Sequence, residues 1–229
     1  PDGRWLALPV DPKAVEIRDM HMNVPVAKLT GHAAAITRLA FSADGGHLVT
    51  VDKDSAVILW DMAESKKIFD LPKAKNEILA LAVSPNGRVL AGADLEGGIQ
   101  YWDLVSGREL AYVPAHQVPV SAIAYSPDGK WLASGGQQRH LKLWSAGLGR
   151  DDRVLANVPD DVNVLQFAPD SRWLLLGGTR QAVEVWDVEQ GQVVHRLAGH
   201  DYGVSVLALS SDGEQLATSG DDGKILVWK

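Results

Sequence analysis

The segment SPDGKWLAS, residues 126–134, decides the fold because its pattern returns along the whole chain at a fixed spacing. Its turn, Pro127-Asp128-Gly129, has counterparts that begin at positions 1, 43, 85, 169 and 211, so the start number rises by 42 at every step. A constant period of this length is the signature of a repeat architecture, in which each repeat forms one unit of supersecondary structure.

Two further columns keep the same register. The first column is a leucine five residues after the start of each turn: Leu6, Leu48, Leu90, Leu132, Leu174 and Leu216. The second column follows each turn at a constant distance and holds Arg18, Trp60, Trp102, Trp144, Trp186 and Trp228. The remaining tryptophans, Trp5, Trp131 and Trp173, each precede one of the leucines. This placement favours an architectural role for tryptophan over an aromatic ligand-binding box.

Apolar residues within each period are spaced as in short strands rather than helices. Strand a precedes the turn, as in residues 36–41, and strand b follows it, as in residues 132–134. Strand c carries alternating apolar residues such as Val57 and Leu59, and strand d follows a second turn, as in residues 66–71. Four antiparallel strands form a blade that must stack on its neighbours, and closing the stack into a ring removes exposed end faces.

Composition excludes several classes of protein. With 46% hydrophobic residues the chain can bury a core, and with a net charge of -7 and no basic stripe it has no evident surface for nucleic acid. No apolar segment approaches the roughly 20 residues that cross a bilayer, so no membrane partner is expected. The chain has no cysteine and no histidine pair at ligand spacing, so we predict no metal and no cofactor.

With these columns established, the chain resembles the WD40 repeat family. The family's Gly-His, Ser-Pro-Asp-Gly and Trp-Asp motifs are present as Gly31-His32, Gly199-His200, Ser126-Pro127-Asp128-Gly129, Trp60-Asp61, Trp102-Asp103 and Trp186-Asp187. The departures are Arg18 for tryptophan, Ala74 and Val158 at histidine positions, and Trp144-Ser145. The resemblance implies an all-β WD40-type β-propeller with six visible blades, the first and last incomplete, and six or seven blades in the intact ring.

The resemblance also implies a hydrogen-bonded set of His, Ser or Thr, Asp and Trp in each well-formed blade. By spacing, the two complete sets are His32, Thr50, Asp54 and Trp60, and His200, Thr218, Asp222 and Trp228. A partial set is His116, Ser134 and Trp144, with Gln138 at the Asp position. The same residue types form a hydrolase triad, but an active site occurs once and this set recurs. We therefore predict structural tetrads, no catalytic residues and no enzymatic activity.

The blade ends that carry the loops before strand a and the turns between strands b and c form the usual docking face of such propellers. Their columns give these candidate binding residues: Thr37, Lys53, Glu77, Leu79, Leu95, Gln137, Asp161, Asn163, Thr179, Tyr202, Ser205 and Asp221. The set is polar with acidic positions, and it contains two apolar candidates for exposure, Leu79 and Leu95. A solvated rim without a binding hot spot is the alternative for each single residue.

Two classes of function follow from this architecture. The first is a scaffold or sensor domain of a longer multidomain protein, which binds other proteins or peptides. The second is a small-ligand or enzymatic site in the central channel, which would need convergent polar groups at one place. Because the sequence offers repeated columns rather than one such place, we predict the scaffold, and we expect a cytoplasmic protein.

Strand counting predicts how the domain ends. Residues 1–229 are expected to form one propeller domain that is truncated at its N-terminus, because the first blade lacks strand a and the last lacks strand d. Unpaired strand edges favour pairing with further chain. A missing N-terminal segment or another chain is therefore expected to complete the ring.

Overall fold

The computed structural model describes residues 3–137, 140–146, 152–158 and 161–229, and for residues 152–157 the backbone alone is described. Within these ranges every regular element is a β-strand, and the 22 strands form six antiparallel sheets. In chain order these sheets are the blades predicted from the sequence, and they are called blades one to six below.

The strands of the first three blades begin and end as follows. Blade one contains β1 (Trp5–Asp11), β2 (Ala14–Asp19) and β3 (Val24–Thr30). Blade two contains β4 (Ile36–Phe41), β5 (His47–Asp52), β6 (Val57–Asp61) and β7 (Lys66–Leu71). Blade three contains β8 (Ile78–Val83), β9 (Val89–Asp94), β10 (Gly98–Asp103) and β11 (Arg108–Pro114).

The other three blades continue the series. Blade four contains β12 (Ala122–Tyr125), β13 (Trp131–Gly135), β14 (His140–Ser145) and β15 (Asp152–Asn157). Blade five contains β16 (Val162–Phe167), β17 (Trp173–Gly178), β18 (Ala182–Asp187) and β19 (Gln192–Ala198). Blade six contains β20 (Val204–Leu209), β21 (Leu216–Gly220) and β22 (Ile225–Trp228). The all-β repeat fold is confirmed, and the first and last blades have three strands each, as strand counting predicted.

The leucine and tryptophan columns are cross-strand partners. Leu132 of β13 lies directly opposite Trp144 of β14, and Leu48 is opposite Trp60 in the same way. All four of these side chains are buried. Pairs that face each other across antiparallel strands are the unit of sheet stabilisation, and packing a large ring on a branched side chain fixes the register. The two columns therefore recur together because they are one structural contact.

The core consists of layers between consecutive blades. One apolar cluster joins Ile17 of blade one to Leu48 of blade two, and a second joins Leu59 of blade two to Trp102 of blade three. A third cluster lies between blades four and five, and a fourth between blades five and six. These pairs of blades thus bury the faces at which they meet, as expected for a unit that cannot bury both of its own faces.

The chain is divided into two compact units. The first comprises residues 1–92 and 100–112, and the second comprises residues 93–99 and 113–229, so the division passes through blade three. In the first unit β4 packs beside β8, and in the second β12 packs beside β16 and β16 beside β20. No helix in the described part of the chain is long and apolar enough to cross a membrane.

Candidate functional site

The tetrad of blade six is a continuous chain of hydrogen bonds. Trp228 Nε1 donates to Thr218 Oγ1 over 3.0 Å, and Thr218 Oγ1 lies 2.8 Å from His200 Nε2. His200 Nδ1 lies 2.9 Å from Asp222 Oδ2. The structure therefore brings together the four residues that spacing assigned to this blade.

Blade two has the same chain but takes its carboxylate from another residue. Trp60 Nε1 donates to Thr50 Oγ1 over 2.8 Å, and Thr50 Oγ1 lies 2.7 Å from His32 Nε2. The partner of His32 Nδ1 is Asp52, whose Oδ2 is 2.9 Å away. Asp54, which we had predicted to occupy this position, is exposed, and its backbone N–H donates to Asp52 Oδ1. The assignment of Asp54 was wrong.

Strand geometry explains the correction. Thr50 and Asp52 are two residues apart in β5, so their side chains point to the same face of the sheet, whereas Asp54 lies beyond the end of the strand. The position of Asp52 is taken in blade six by Gly220, where a Cβ would collide with the carbonyl of Gly203. No aspartate fits there, and the turn residue Asp222 supplies the carboxylate instead.

Both carboxylates tie a loop to a turn through backbone amides. Asp52 accepts from Ala34 N in the loop before strand a, at 3.4 Å, and from Ala56 N in the b–c turn, at 3.0 Å. Asp222 accepts from Asp201 N and from Lys224 N, each at 3.0 Å. Each tetrad therefore fastens two segments that are distant in sequence to one buried carboxylate.

The order of donors assigns the histidine tautomer. An indole N–H can only donate, so the threonine hydroxyl accepts from tryptophan and can give its own proton to His Nε2. The proton of a neutral imidazole then sits on Nδ1, from which it is donated to the aspartate. In blade two this chain contains Trp60, Thr50, His32 and Asp52, and every link is buried.

Both aspartates are held in the charged form. Burial alone would raise the pKa of Asp222, but bonds from the backbone N–H groups of Asp201 and Lys224 and from His200 outweigh it and lower the pKa to about 2. Burial likewise opposes ionisation of Asp52, and the bonds from His32 and Ala56 N outweigh it, so the pKa of Asp52 is also lowered. Each charged carboxylate therefore strengthens the hydrogen bond from its histidine, and with it the bonds of threonine and tryptophan that follow.

The partial set of blade four follows the same plan. Trp144 Nε1 donates to Ser134 Oγ over 2.7 Å, and Ser134 Oγ lies 2.8 Å from His116 Nε2. Gln138, at the Asp position, lies outside the described residues. All three described side chains are buried, as they are in blade two.

These sets have little of what acyl transfer requires. A catalytic hydroxyl must reach a substrate carbonyl beside an oxyanion site. Thr50 Oγ1 is buried and already accepts the N–H of Trp60. The arrangement supports a fastening role over a nucleophilic one.

Blades three and five lack the tetrad and satisfy their tryptophans by different contacts. In blade three Trp102 Nε1 donates directly to Pro72 O over 2.8 Å, and Gln100 Oε1 accepts from Lys75 N over 2.9 Å. Ala74 and Gly92 stand where blade two has His32 and Thr50. The same loop is therefore reached by the tryptophan itself once the intervening polar side chains are absent.

Blade five satisfies its indole from within strand c. Trp186 Nε1 donates to Glu184 Oε2 over 3.1 Å, and the other carboxylate oxygen of Glu184 accepts from Arg196 Nε over 2.9 Å. Val158 and Leu176, at the histidine and threonine positions, are buried. The polar set is thus replaced by an apolar filling and an ion pair.

The predicted docking rim is fixed by backbone hydrogen bonds. An N–H of the b–c turn donates to a carbonyl in the loop before strand a. The described examples are Lys53 N to Ala35 O at 2.9 Å, Gln137 N to Pro119 O at 3.4 Å, Thr179 N to Asp161 O at 3.3 Å and Asp221 N to Gly203 O at 3.0 Å. Loop and turn therefore lie side by side at the same end of each of these blades.

The twelve rim candidates differ in exposure. The exposed ones are Lys53, Glu77, Leu95, Gln137, Thr179, Tyr202, Ser205 and Asp221, and the half-buried ones are Thr37, Leu79, Asp161 and Asn163. Leu95 is 42% exposed and Tyr202 is 64% exposed, so these two apolar surfaces are available to a partner. The expected exposure of Leu79 is not found.

Side chains of Thr37, Asn163 and Ser205 donate hydrogen bonds within the chain. Thr37 Oγ1 donates to Val51 O within its own blade, at 3.2 Å. Asn163 Nδ2 donates at 3.4 Å to Val204 O, which belongs to the next blade. Ser205 Oγ donates to Asp221 Oδ1 over 3.1 Å. Thr37 and Asn163 therefore contribute to blade packing, which is the simpler role for half-buried polar residues.

Two residues that hold the loops before strand a were not predicted from the sequence, namely Asp52 and Gln100. Asp52 could have been found because it shares the strand parity of Thr50. Gln100 could not, because in the part of the chain that the structure describes no other blade has a buried side-chain amide that accepts from a backbone N–H as Gln100 does from Lys75.

The described residues contain no group of three or more metal-ligating side chains. A cavity of about 410 Å³ in the second unit is lined in part by Leu176, Arg180 and Ala198.

The chain matches the family model described as "WD domain, G-beta repeat" over residues 23–61, 107–145 and 191–229. Together these three segments cover just over half of the chain, and they are the segments that carry the tryptophans of the tetrads of blades two, four and six. Over 62 residues the chain is 37% identical to WD repeat-containing protein 62 of Sus scrofa and 36% identical to that of Mus musculus. The match covers 27% of this chain and 4% of each relative's length.

Proposed function

Because the chain belongs to the WD40 repeat family, we propose that it is a protein-interaction domain that binds partners at the rim ends of its blades, where the loops before strand a meet the b–c turns. WD40 repeats generally mediate binding between proteins. The observation that carries the proposal is the backbone bond between loop and turn, repeated in four blades, with an exposed side chain above each bond. A surface that is ordered before binding loses less conformational entropy when a partner docks.

The chemistry of the rim supports a peptide or protein partner. Exposed Tyr202 and Leu95 offer apolar area, and Lys53, Glu77 and Asp221 place charges of both signs at these ends of their blades. Tyrosine is enriched at interface hot spots, where a few residues carry most of the binding energy. Charges at a rim chiefly set the rate and specificity of association.

The proposal is tested by partner capture from the cells that make the protein, with quantification of each captured protein by mass spectrometry. Tyr202→Ala and Lys53→Glu should reduce capture of the true partner, each by an energy of about 1–3 kcal/mol. Arg88→Glu and Lys130→Glu are matched controls, since both residues are exposed in a–b turns at the other ends of their blades. Equal losses from both pairs would contradict a docking rim.

We also propose that the domain is one part of a longer protein. The support is the length of the relatives, of which the matched segment is 4%. The mass of the native protein, measured with an antibody raised against this chain, tests this. A native mass equal to that of the 229 residues would overturn it.

A second candidate is small-ligand binding. The notable feature is the cavity of about 410 Å³, whose described walls include apolar Val158, Leu176 and Ala182 and the polar residues Thr179 and Gln181. Ligand pockets in proteins are mostly apolar with a few polar groups. Ala182→Phe should abolish any ligand-induced thermal shift while Tyr202→Ala leaves it intact, and the reverse pattern would exclude this pocket.

A further inference from the structure

The a–b turn of blade three carries a side-chain amide at the position where the sequences of the other five carry a carboxylate. Its central residue is Asn86, whereas the corresponding residues of the other blades are Asp2, Asp44, Asp128, Asp170 and Asp212. Asn86 is also the one asparagine of the chain that precedes a glycine, because Asn23, Asn76, Asn157 and Asn163 precede Val, Glu, Val and Val.

The turn around Asn86 has the geometry of the aspartate turns. Asn86 Oδ1 accepts from Ser84 Oγ at 2.7 Å and from Arg88 N at 3.0 Å. Asp128 Oδ1 accepts from Ser126 Oγ at 2.7 Å and from Lys130 N at 3.1 Å. Since a backbone N–H only donates, the oxygen of the Asn86 amide must face it. The neutral amide therefore occupies a site that elsewhere holds a carboxylate.

That site favours negative charge. The serine hydroxyl two residues earlier is the main cause that lowers the pKa of Asp44, of Asp128 and of Asp212. Hydrogen bonds to an ionised acceptor are about twice as strong as those between neutral groups. Ser84 and Arg88 N offer the same two donors to Asn86, so a carboxylate at this position would be bound more strongly than the amide.

The residue after Asn86 is a glycine, so no side chain shields its backbone nitrogen, which a single turn bond holds. Gly87 has a φ of 70°, and no atom lies within 4 Å of the place where a Cβ would stand. Its N–H makes a turn bond of 2.8 Å to Ser84 O, and Asn86 is exposed. Exposed turns open locally at low free-energy cost, and opening this one frees the nitrogen of Gly87.

We propose that Asn86 is a self-deamidation site whose product completes the aspartate pattern of the turns. The Gly87 nitrogen, on losing its proton, attacks Cγ of Asn86; the bond from Cγ to Nδ2 breaks, and ammonia leaves. Water then opens the cyclic imide at one of its two carbonyls, giving aspartate or isoaspartate. No oxidant or reductant takes part. The net charge of the protein becomes more negative by one.

The folded turn selects between the two products. Aspartate keeps the main chain unchanged and can accept from Ser84 and Arg88 N as the other aspartates do from their partners. Isoaspartate adds a methylene group to the main chain and removes the side-chain length that reaches both donors. Aspartate is therefore the product that the turn stabilises.

The test is incubation of the whole chain at mildly alkaline pH and physiological temperature, followed by peptide mapping with mass spectrometry. Asn86 should gain one dalton at least tenfold faster than any of the four other asparagines, which are controls within the same molecule. Aspartate should exceed isoaspartate in the folded protein and fall below it in the isolated peptide of residues 82–90.

Asn86→Asp tests the stabilisation separately. It should raise the midpoint of thermal unfolding by about 1–4 °C, and Ser84→Ala should remove most of that gain. A rate at Asn86 no greater than at the other asparagines would overturn the site, and an unchanged or lower midpoint in Asn86→Asp would overturn the selection of aspartate.

Discussion

Blade two and blade three hold the same loop with different chemistry. In blade two the indole of Trp60 reaches the loop through Thr50 and His32, and in blade three the indole of Trp102 bonds the loop carbonyl of Pro72 directly. A glycine, Gly92, replaces the threonine. The difference shows that the fold requires a partner for each buried indole N–H, and that it does not require one particular partner.

The largest expected effect comes from removing the centre of the blade-two chain. His32→Ala leaves the buried Asp52 carboxylate and Thr50 hydroxyl each without one partner, so it should lower the free energy of unfolding by about 3 kcal/mol. Urea denaturation measures the loss. His21→Ala is the matched control, because His21 is exposed in a turn, and it should change stability by less than about 0.5 kcal/mol. Similar values for the two variants would show that the stability of blade two does not depend on this chain of hydrogen bonds.

Gly92→Ala tests the packing that lets Trp102 reach Pro72 in blade three. The new Cβ would lie 2.9 Å from Cζ3 of Trp102 and 3.1 Å from Cδ1 of Ile78, so the indole that reaches Pro72 must move. Overpacking of this kind costs about 1–3 kcal/mol. Gly46→Ala, whose Cβ meets no atom closer than 3.4 Å, is the control. If both variants lose the same stability, the close approach of Trp102 to Gly92 does not contribute to the stability of blade three.

The identity of the carboxylate in blade two gives a smaller effect. Asp52→Asn should cost about 1–2 kcal/mol, because it weakens charge-assisted bonds from His32 and three backbone amides. Asp54→Asn should cost almost nothing, since Asp54 is exposed. Thermal unfolding of the two variants decides between them. A larger loss from Asp54→Asn would restore the assignment made from spacing alone.

The smallest effect is a dependence on acid. Because the folded protein lowers the pKa of Asp222 from 3.8 to about 2, the unfolded chain takes up the proton first as the pH falls. The stability due to this group is present above pH 3.8 and disappears as the pH approaches about 2. Urea midpoints measured across this range should fall less steeply in Asp222→Asn. Parallel curves for the two proteins would mean that this carboxylate is not the titrating group.

The constant repeat period determined most of the fold in advance. Column positions predicted the strands and the blade order, because identical units repeat the same contacts; the structure adds that the leucine and tryptophan columns pair across strands, as Leu132 does with Trp144. The chain of Trp228, Thr218 and His200 followed from the same columns. The completion of a ring by an upstream segment or by another chain stays a prediction.

Contacts that are unique to one blade could not be found in this way. The indole bond to Pro72 depends on the space left by Gly92, and the pairing of Glu184 with Trp186 depends on strand c of one blade only. The exchange of Asp54 for Asp52 depends on which residue ends strand b, which is Asp52 in β5 and Gly220 in β21. The repeat predicts the contacts that all blades share, and the local packing of each blade determines the contacts that are unique to it.

The bond between loop and turn at the rim is made by main-chain atoms, and this has a consequence for how the protein can change. The same backbone contact is made by four residues whose side chains are unrelated in size and charge: Lys53, Gln137, Thr179 and Asp221. Every residue except proline carries the required N–H. Substitution at these positions therefore leaves the loop joined to the turn. Under the proposed function, single mutations here would change which partner is bound without destabilising the blade.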